Sequence, residues 1–310
     1  MASSKITIVG AGNIGATAAS VITNFNLADI VLIDVVENIA KGKAIDISES
    51  ASVVGHNCSI IGTSDWKFAE NSNVVIIASG KPRHPGMSRA DLLESNAAIV
   101  IDVARKIKKY TPNSFVIVVT NPLDAMVYAA FKAGEFDKRK IMGMSGQLDG
   151  TRYCSFIADK LQVDPACVHG IILGVHGNDM LPLPRLTTIG GIPLIELMPE
   201  KDIQQIIERT KFAGAEIVNL LGYSGYYAAG TAIANMAKSL LRNSRSIISC
   251  SVYCQGQYGI NDCFMGVPVV LGGNGIEKII EISLLEYEKQ ILFNSVEHVK
   301  ELAIKVDNWL

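Results

Sequence analysis

The chain has 310 residues, 49% hydrophobic and 19% charged, which is the composition of a globular protein with one large or two medium domains. Its formal net charge of −2 gives no indication of binding to nucleic acid or to a charged membrane surface. No apolar run approaches the roughly 20 residues needed to span a bilayer. Because residues 1–9 also lack the features of a signal peptide, we expect a cytoplasmic protein without a membrane partner.

The first half of the chain alternates short β-branched runs with helical patterns. The strand-like runs are residues 6–9, 30–33, 74–78 and 115–119. The helical stretches between them include residues 16–24, 41–50 and 93–110. Alternation of this kind predicts βαβ units and a parallel sheet that is buried on both faces, here over residues 1–145.

The second half has a different pattern, which predicts a mixed α+β domain over residues 146–310. We expect one strand at residues 168–173, a hairpin at 186–194, helices at 203–221 and 227–242, strands at 247–253 and 267–271, and a long C-terminal helix from about Gly275. Without flexible linkers, the two domains are expected to share a tight interface.

Six cysteines are scattered along the chain, with no CxxC pair among them. We expect ordinary free thiols in a reducing compartment and no metal site. Cys250 and Cys254 are four residues apart in a strand-like run, which puts both on one face, so a disulfide or a metal site is the alternative there.

A GxGxxG motif follows the first strand and opens the first helix, with the residues Gly10, Ala11, Gly12, Asn13, Ile14 and Gly15. In this context the glycines allow a tight turn, close approach of the backbone to a pyrophosphate, and close packing of helix on sheet. The helix N-terminus supplies free N–H groups for the phosphates. The motif therefore predicts a Rossmann-type doubly wound α/β domain that binds a dinucleotide.

Asp34 ends the second strand, 19 residues after Gly15. A carboxylate there can accept hydrogen bonds from the adenosine ribose hydroxyls, and it would repel a 2′-phosphate. No arginine follows within residues 35–38. The sequence therefore favours NAD over NADP as cofactor.

Four polar clusters directly follow apolar runs or open helices, at residues 80–89, 120–124, 146–152 and 174–179. The first carries two arginines, two prolines and two glycines, which is typical of a loop that closes over a substrate; arginines that are merely solvated are the alternative. In the second, the proline after Asn121 biases that residue away from helix, so its amide can point into the crevice.

The third and fourth clusters contain groups suited to proton transfer. Asp149 and Arg152 are three apart and share a helix face, although a surface ion pair has the same spacing. His176 lies between Gly174 and Gly177, which leave space around its ring; a structural histidine is the alternative.

Taken in order after the glycine motif and Asp34, these clusters resemble the lactate/malate dehydrogenase family. The likeness extends from residue 6 to the end of the chain and includes stretches without chemistry, such as residues 214–218 and 266–268. It implies an NAD-dependent 2-hydroxyacid dehydrogenase. A catalytically silent NAD-binding protein is the alternative from another class, and it would predict a broken set of polar groups.

The resemblance also implies roles for individual residues. His176 matches the proton acceptor and Asp149 the carboxylate that orients it. Arg152 matches the arginine that grips the C1 carboxylate of the substrate, Arg89 the loop arginine that polarises the carbonyl, and Asn121 the amide that holds the same oxygen. The further positions that match cofactor contacts are Asn96, Val119, Thr120 and Asn121.

Arg83 lies six residues before Arg89, at the position that separates substrates within the family. Members that act on lactate carry glutamine there, and members that act on malate carry arginine. A desolvated second carboxylate requires a cation, and an arginine that faces a methyl group would be left unpaired. Arg83 therefore implies a dicarboxylate substrate, malate or oxaloacetate, with a lactate-type enzyme as the alternative.

Two further expectations concern the partner of His176 and the assembly of the chain. After the His-Gly pair the family usually has Asp and then a small residue, whereas this chain has Asn178 and Asp179, so Asp179 competes with Asp149 as the partner of His176. The overall pattern resembles the lactate-dehydrogenase-like branch of the malate-oxidising members. That branch is typically tetrameric and the other branch dimeric, so the resemblance implies a homotetramer.

Overall fold

The computed structural model describes residues 4–81 and 89–310, with only the backbone of Arg89 and Ala90. In these residues the strands are β1 (Lys5–Val9), β2 (Asp29–Ile33), β3 (Ile60–Thr63), β4 (Val74–Ile77), β5 (Phe115–Val118), β6 (Ile141–Gly143), β7 (Val168–His169), β8 (Ile172–Leu173), β9 (Leu181–Pro182), β10 (Thr188–Ile189), β11 (Ile192–Pro193), β12 (Ser246–Gln255), β13 (Asn261–Gly272) and β14 (Gly275–Ile279). The helices are α1 (Asn13–Asn24), α2 (Glu37–Glu49), α3 (Ala51–Val54), α4 (Arg89–Tyr110), α5 (Leu123–Gly134), α6 (Gly146–Leu161), α7 (Leu194–Leu197), α8 (Glu200–Leu221), α9 (Tyr227–Leu241) and α10 (Glu286–Asp307).

A nine-stranded sheet with the order β14-β13-β12-β6-β5-β4-β1-β2-β3 forms the centre of the molecule. Its first six strands in the chain are parallel, and the last three pair antiparallel. The strand order reverses between β1 and β4, and a crevice forms at such a reversal beyond the carboxyl ends of the strands. The predicted fold class, a doubly wound parallel sheet followed by an α/β unit, is confirmed.

Both faces of the parallel sheet are covered, which explains the continuous apolar runs in its strands. Ile6 and Ile8 of β1 pack on the face that carries α1 and α9, whereas Val9 packs on the face that carries α4 and α5. Successive side chains of a strand point to opposite faces, so a strand between two helical layers is buried on both sides and is mostly apolar.

The predicted strand at residues 168–173 is wrong. The chain forms two short strands instead: β7 pairs with β10, and β8 pairs with β9 in a different sheet. Between them, Gly170 lies against the ring of Tyr153, where an added Cβ would come within 2.8 Å of a ring carbon. The apolar run is shared between two sheets because the chain bends around Tyr153.

The predicted start of the C-terminal helix at Gly275 is also wrong. Gly275 has a φ of +83° and begins β14, which pairs antiparallel with β13, and α10 begins only at Glu286. The isoleucines at 276, 279 and 280 have a spacing that fits a helix as well as a strand. The free edge of β13, whose backbone groups need hydrogen-bond partners, explains why the strand is formed here.

The remaining large elements of the second half occur where they were predicted: the hairpin of β10 and β11, the helices α8 and α9, and the strands β12 and β13. β12 joins the sheet beside β6 through Ser251 and Gly143, so the sheet continues across the boundary predicted at residue 145. Among the described helices, none combines the length and the apolar character that crossing a bilayer requires.

Candidate active site

The loops that follow β1, β4 and β5 meet at the crevice. The Oγ1 of Thr120 donates to the carbonyl of Ser79 at 2.6 Å and joins two of these loops. The buried amide of Asn96 on α4 accepts from the N–H of Lys81 at 2.7 Å and donates to the carbonyl of Asn121 at 2.7 Å. Asn96 therefore fixes the ends of two strands, a role that the sequence did not predict; its contact with a cofactor stays a prediction.

The glycine loop has the shape that a bound dinucleotide requires. Gly10 has a φ of +103°, and a Cβ there would lie 2.7 Å from the backbone nitrogen of Ser79. A Cβ on Gly15 would lie 1.9 Å from the carbonyl oxygen of Gly10. At Gly12, by contrast, a Cβ would meet nothing within 4 Å. Gly10 and Gly15 are thus required by packing, whereas Gly12 faces open space.

That open space lies at the start of α1, where no described side chain caps the helix. The N–H groups of a first helical turn have no partners within the helix and carry partial positive charge. Nearby, the buried Oγ of Ser79 has no hydrogen-bond partner among the described residues. An exposed backbone cradle and an unsatisfied hydroxyl fit a diphosphate-containing ligand such as NAD.

Asp34 lies at the end of β2, beside the glycine loop. Its Oδ2 accepts from the N–H of Ala11 at 2.8 Å, and its Oδ1 accepts from the N–H of Val36 at 3.0 Å. Each carboxylate oxygen keeps a second lone pair for a further donor. The residue thus holds the loop and can still accept hydrogen bonds from ribose hydroxyls.

His176 lies on the loop after β8. Gly174 donates its N–H to the carbonyl of Gly266 at 2.9 Å, which ties the start of this loop to β13. The ring Nδ1 of His176 is 2.8 Å from Oδ2 of Asp149, in the first turn of α6. Of the two candidate partners, therefore, Asp149 faces the ring and Asp179 does not. With Nδ1–H donating to a carboxylate, Nε2 is left as the proton acceptor.

Asp149 and His176 form a largely buried pair, with exposed fractions of 1% and 16% for their side chains. Burial lowers the pKa of His176, but the negative charge of Asp149 and its hydrogen bond raise it by more. The positive charge of Arg152 opposes this effect and the charge of Asp124 adds to it. The pKa of His176 therefore lies above its ordinary value of 6.5.

Arg152 lies one helical turn after Asp149, with its Nη1 3.4 Å from Oδ1 of that residue. Its Nε is buried and has no hydrogen-bond partner among the described residues. Gly214 on α8 leaves room beside the guanidinium, because a Cβ there would lie 3.8 Å from Nη1. An incompletely satisfied guanidinium beside the His176–Asp149 pair fits a planar carboxylate that it can bind through two N–H groups.

The other predicted residues are placed only in part. Arg83 lies outside the described residues, and Arg89 begins α4 but its side chain is not among those described. Asn121 lies three residues after β5, precedes Pro122 through a cis peptide bond, and is exposed. The backbone of Val119 is bound to β4 through its N–H and the carbonyl of Ile77 at 2.9 Å.

Sequence reasoning missed two polar residues behind His176, Asp124 and Ser251. Asp124 belongs to the polar cluster at residues 120–124, so a signal was present, but no role followed from it. Ser251 lies in a strand whose register only the fold establishes, and its hydroxyl donates to Asp124 at 2.6 Å. Both side chains are almost completely buried.

Two models of the same protein family match nearly the whole chain. The family model "lactate/malate dehydrogenase, NAD binding domain" matches residues 4–143, and the model "lactate/malate dehydrogenase, alpha/beta C-terminal domain" matches residues 146–308. A malate dehydrogenase of Cytophaga hutchinsonii is 45% identical over 98% of both chains.

Two solved structures of similar fold carry different activities in their names. Malate dehydrogenase of Cryptosporidium parvum has a TM-score of 0.96 and 41% identity over 99% of both chains. Lactate dehydrogenase of Eimeria maxima, with NADH and oxamate, has a TM-score of 0.95 and 43% identity over 99% of this chain and 95% of its own. Overall similarity therefore does not separate the two substrates.

Proposed function

Because this chain belongs to the lactate/malate dehydrogenase family, we propose that it catalyses the reversible oxidation of (S)-malate to oxaloacetate with NAD. The observation that carries the proposal is the His176–Asp149 pair, with the guanidinium of Arg152 beside Asp149. NAD supplies the hydride acceptor when it is bound at the glycine loop. The other groups that the reaction needs come from the chain itself.

His176 holds the proton of the reaction. In malate oxidation the O–H bond at C2 breaks, its proton bonds to Nε2 of His176, and the hydride leaves C2 with its electron pair for the cofactor. Asp149 keeps Nδ1 protonated and stabilises the imidazolium that forms. In the reverse direction the protonated ring returns the proton to the alkoxide oxygen.

The substrate is held through its charges. Arg152 binds the C1 carboxylate with two N–H groups, and Asn121 donates its amide to the reacting oxygen. Arg89 stabilises the charge that grows on the carbonyl during reduction, an effect worth several kcal/mol in a closed site. Arg83 pairs with the second carboxylate, which is the group that distinguishes oxaloacetate from pyruvate.

The substitution Arg83→Gln tests the choice of substrate. We expect kcat/KM for oxaloacetate to fall about 10²- to 10³-fold, since an unpaired member of a buried charge pair costs roughly 2–5 kcal/mol. Turnover of pyruvate should rise at the same time. The measurement is NADH oxidation at 340 nm with oxaloacetate, pyruvate and 2-oxoglutarate in parallel.

A matched control is Arg105→Gln, an exposed arginine on α4 whose guanidinium donates to the carbonyl of Leu310. It should leave the substrate preference of the wild type unchanged. If the wild type reduces pyruvate faster than oxaloacetate, the dicarboxylate assignment is wrong and a lactate-type activity replaces it. If Arg83→Gln keeps its oxaloacetate rate, the assignment of Arg83 to the second carboxylate is wrong.

We also propose that the chain assembles into a homotetramer. Apolar side chains are exposed on α2 and α3 and where α8 leads into α9, and exposed apolar surfaces of this kind are typical of subunit contacts. On these helices the most exposed apolar side chains are Ile45, Val53, Leu220 and Tyr227. Light scattering on the purified protein should give four times the chain mass of 33.3 kDa, and a mass of two chains would contradict the proposal.

For its location we propose the cytoplasm. Cys254 and Cys263 are opposite each other in β12 and β13, and both are free thiols in the structure. A reducing compartment keeps such a cross-strand pair reduced. Fractionation of cells that produce the protein, followed by alkylation with a thiol reagent, should find it in the cytoplasmic fraction with all six cysteines reduced.

A further inference from the structure

A second buried carboxylate binds His176, through its backbone and not through its ring. Asp124 occupies the first turn of α5 and is 3% exposed. Its Oδ2 accepts the backbone N–H of His176 at 3.1 Å, and its Oδ1 accepts the hydroxyl of Ser251 at 2.6 Å. The dehydrogenase chemistry described above uses neither Asp124 nor Ser251.

These two hydrogen bonds connect three parts of the fold. Asp124 follows the Asn121–Pro122 loop on α5, Ser251 is in the middle of β12, and His176 lies on the loop after β8. The bonded residues are 52 and 127 positions apart in the chain. One carboxylate thus fixes the backbone of the proton acceptor relative to the helix that begins just after Asn121.

Asp124 also belongs to a small group of charges around the imidazole. Asp149 and Arg152 face His176 from α6, and Asp124 faces it from α5. Burial raises the pKa of Asp124, and the hydroxyl of Ser251 and the N–H of His176 oppose that rise by binding the ionised form. On its other side Asp124 faces the thiol of Cys263 on β13.

We infer that Asp124 is a positioning residue for His176, which anchors its backbone beside Asn121 and supplies a second negative charge that favours the protonated ring. The inference deepens the proposed function and rests on it for the role of the ring in malate oxidation. Two carboxylates would then share one task through different contacts. Asp149 binds the ring itself, and Asp124 holds the loop that carries the ring.

The variant Asp124→Asn separates charge from geometry. Its amide NH₂ can donate to Oγ of Ser251 while its Oδ1 accepts the N–H of His176, so both contacts are kept and only the charge is lost. We expect the pKa of His176 to fall by about one to two units, the effect of a removed opposite charge several ångströms from the ring at an effective dielectric constant of roughly 20.

The sign of the shift follows from which form of the ring reacts. Malate oxidation requires the neutral ring, so the rising limb of kcat/KM against pH should move to lower pH in Asp124→Asn. Oxaloacetate reduction requires the protonated ring, so its falling limb should move to lower pH as well. At high pH, where the ring is already neutral, kcat for malate should fall by less than about tenfold.

Two further variants keep the test decisive if Asp124→Asn folds poorly. Ser251→Ala removes one donor to the carboxylate, which makes its ionised form less stable, so the pKa of His176 should fall in the same direction by a smaller amount. Leu123→Val loosens the same turn of α5 without touching a charge, because Leu123 is a buried apolar neighbour of Asp124. It should lower the melting temperature and leave the pKa of His176 unchanged.

The closing experiment measures the pKa of His176 directly, by NMR titration of the five histidine rings in the protein without substrate, with the His176 signal assigned through His176→Asn. A fall in Asp124→Asn and in Ser251→Ala, with none in Leu123→Val, supports the inference. An unchanged pKa in folded Asp124→Asn, or an equal fall in Leu123→Val, overturns it.

This readout separates the inference from the proposed function. If the wild type fails to oxidise malate while the NMR shift is present, the function is wrong and the action of the Asp124 charge on His176 stands. If malate oxidation is present and the titration is unmoved, the function stands and the role of Asp124 is wrong.

Discussion

The glycine loop and the cluster around His176 meet in one crevice but are built from different groups. The glycine loop offers backbone N–H groups at the start of α1, and its one carboxylate, Asp34, is 23 residues from the loop residue it binds. The cluster around His176 consists of side chains, with Asp149 27 residues away and Asp124 52 residues away. Binding at the glycine loop therefore depends on open space beside the backbone, whereas proton transfer at His176 depends on the charges around it.

The largest effect on activity is expected in the cluster around His176, for the variant Asp149→Asn. Without the carboxylate, burial dominates and the pKa of His176 falls below its wild-type value, so the protonated ring becomes scarce at neutral pH. We expect kcat/KM for oxaloacetate reduction at pH 7 to fall about 10²- to 10⁴-fold, the usual contribution of general acid–base catalysis. Steady-state rates from pH 5 to 9 give this value, and NADH affinity by fluorescence titration should be unchanged.

The pH profile of the wild type supplies the reference for that variant. Because the pKa of His176 is raised above 6.5, malate oxidation should gain activity, and oxaloacetate reduction lose it, through a midpoint above pH 6.5. A midpoint for Asp149→Asn equal to or above that of the wild type would show that Asp149 does not act on the ring.

A smaller effect, on cofactor affinity and not on proton transfer, is expected at the glycine loop. In Gly12→Ala the new methyl group enters open space, so the melting temperature should stay the same. NADH binding should weaken about 10- to 100-fold, from the roughly 1.5–3 kcal/mol that a hydrogen bond to a charged group contributes. Fluorescence titration with NADH measures the affinity.

Gly10→Ala is the matched control for Gly12→Ala. A Cβ at Gly10 would contact the backbone of Ser79 at 2.7 Å, and the residue has a φ of +103°. The free energy of unfolding should therefore fall by about 1–3 kcal/mol or more. If the two variants lose stability equally, Gly12 is required by packing and not by a ligand.

The smallest effect, on the choice between NADH and NADPH, is expected for Asp34→Asn, which removes the carboxylate that binds the glycine loop. Loss of the carboxylate removes its repulsion of a 2′-phosphate and weakens its hydrogen bonds to ribose hydroxyls. The ratio of NADH to NADPH affinity should fall about fivefold to tenfold, on the order of one hydrogen bond. A ratio equal to that of the wild type would mean that another residue selects the cofactor.

Much of the fold and of the cofactor site could be predicted from local sequence patterns. The runs at β1, β2, β4 and β5 are largely apolar on both faces because both faces of the sheet are covered, and this property is visible in a single strand. The glycine motif with Asp34 was equally readable, because its parts lie within 25 residues of each other in the chain. Where a pattern fitted two structures, as at Gly275, the local reading failed because the free edge of β13 decided the outcome.

By itself, then, the sequence determined the parallel sheet, the dinucleotide loop and the order of the polar clusters, since these depend on neighbours along the chain. Only the tertiary structure decided that Asp149 and not Asp179 faces His176, that Asn96 binds the backbone of Lys81 and Asn121, and that Asp124 and Ser251 lie behind the ring. Hydrogen bonds between side chains so far apart in sequence depend on how α5, α6 and β12 pack. No spacing along one segment encodes that packing.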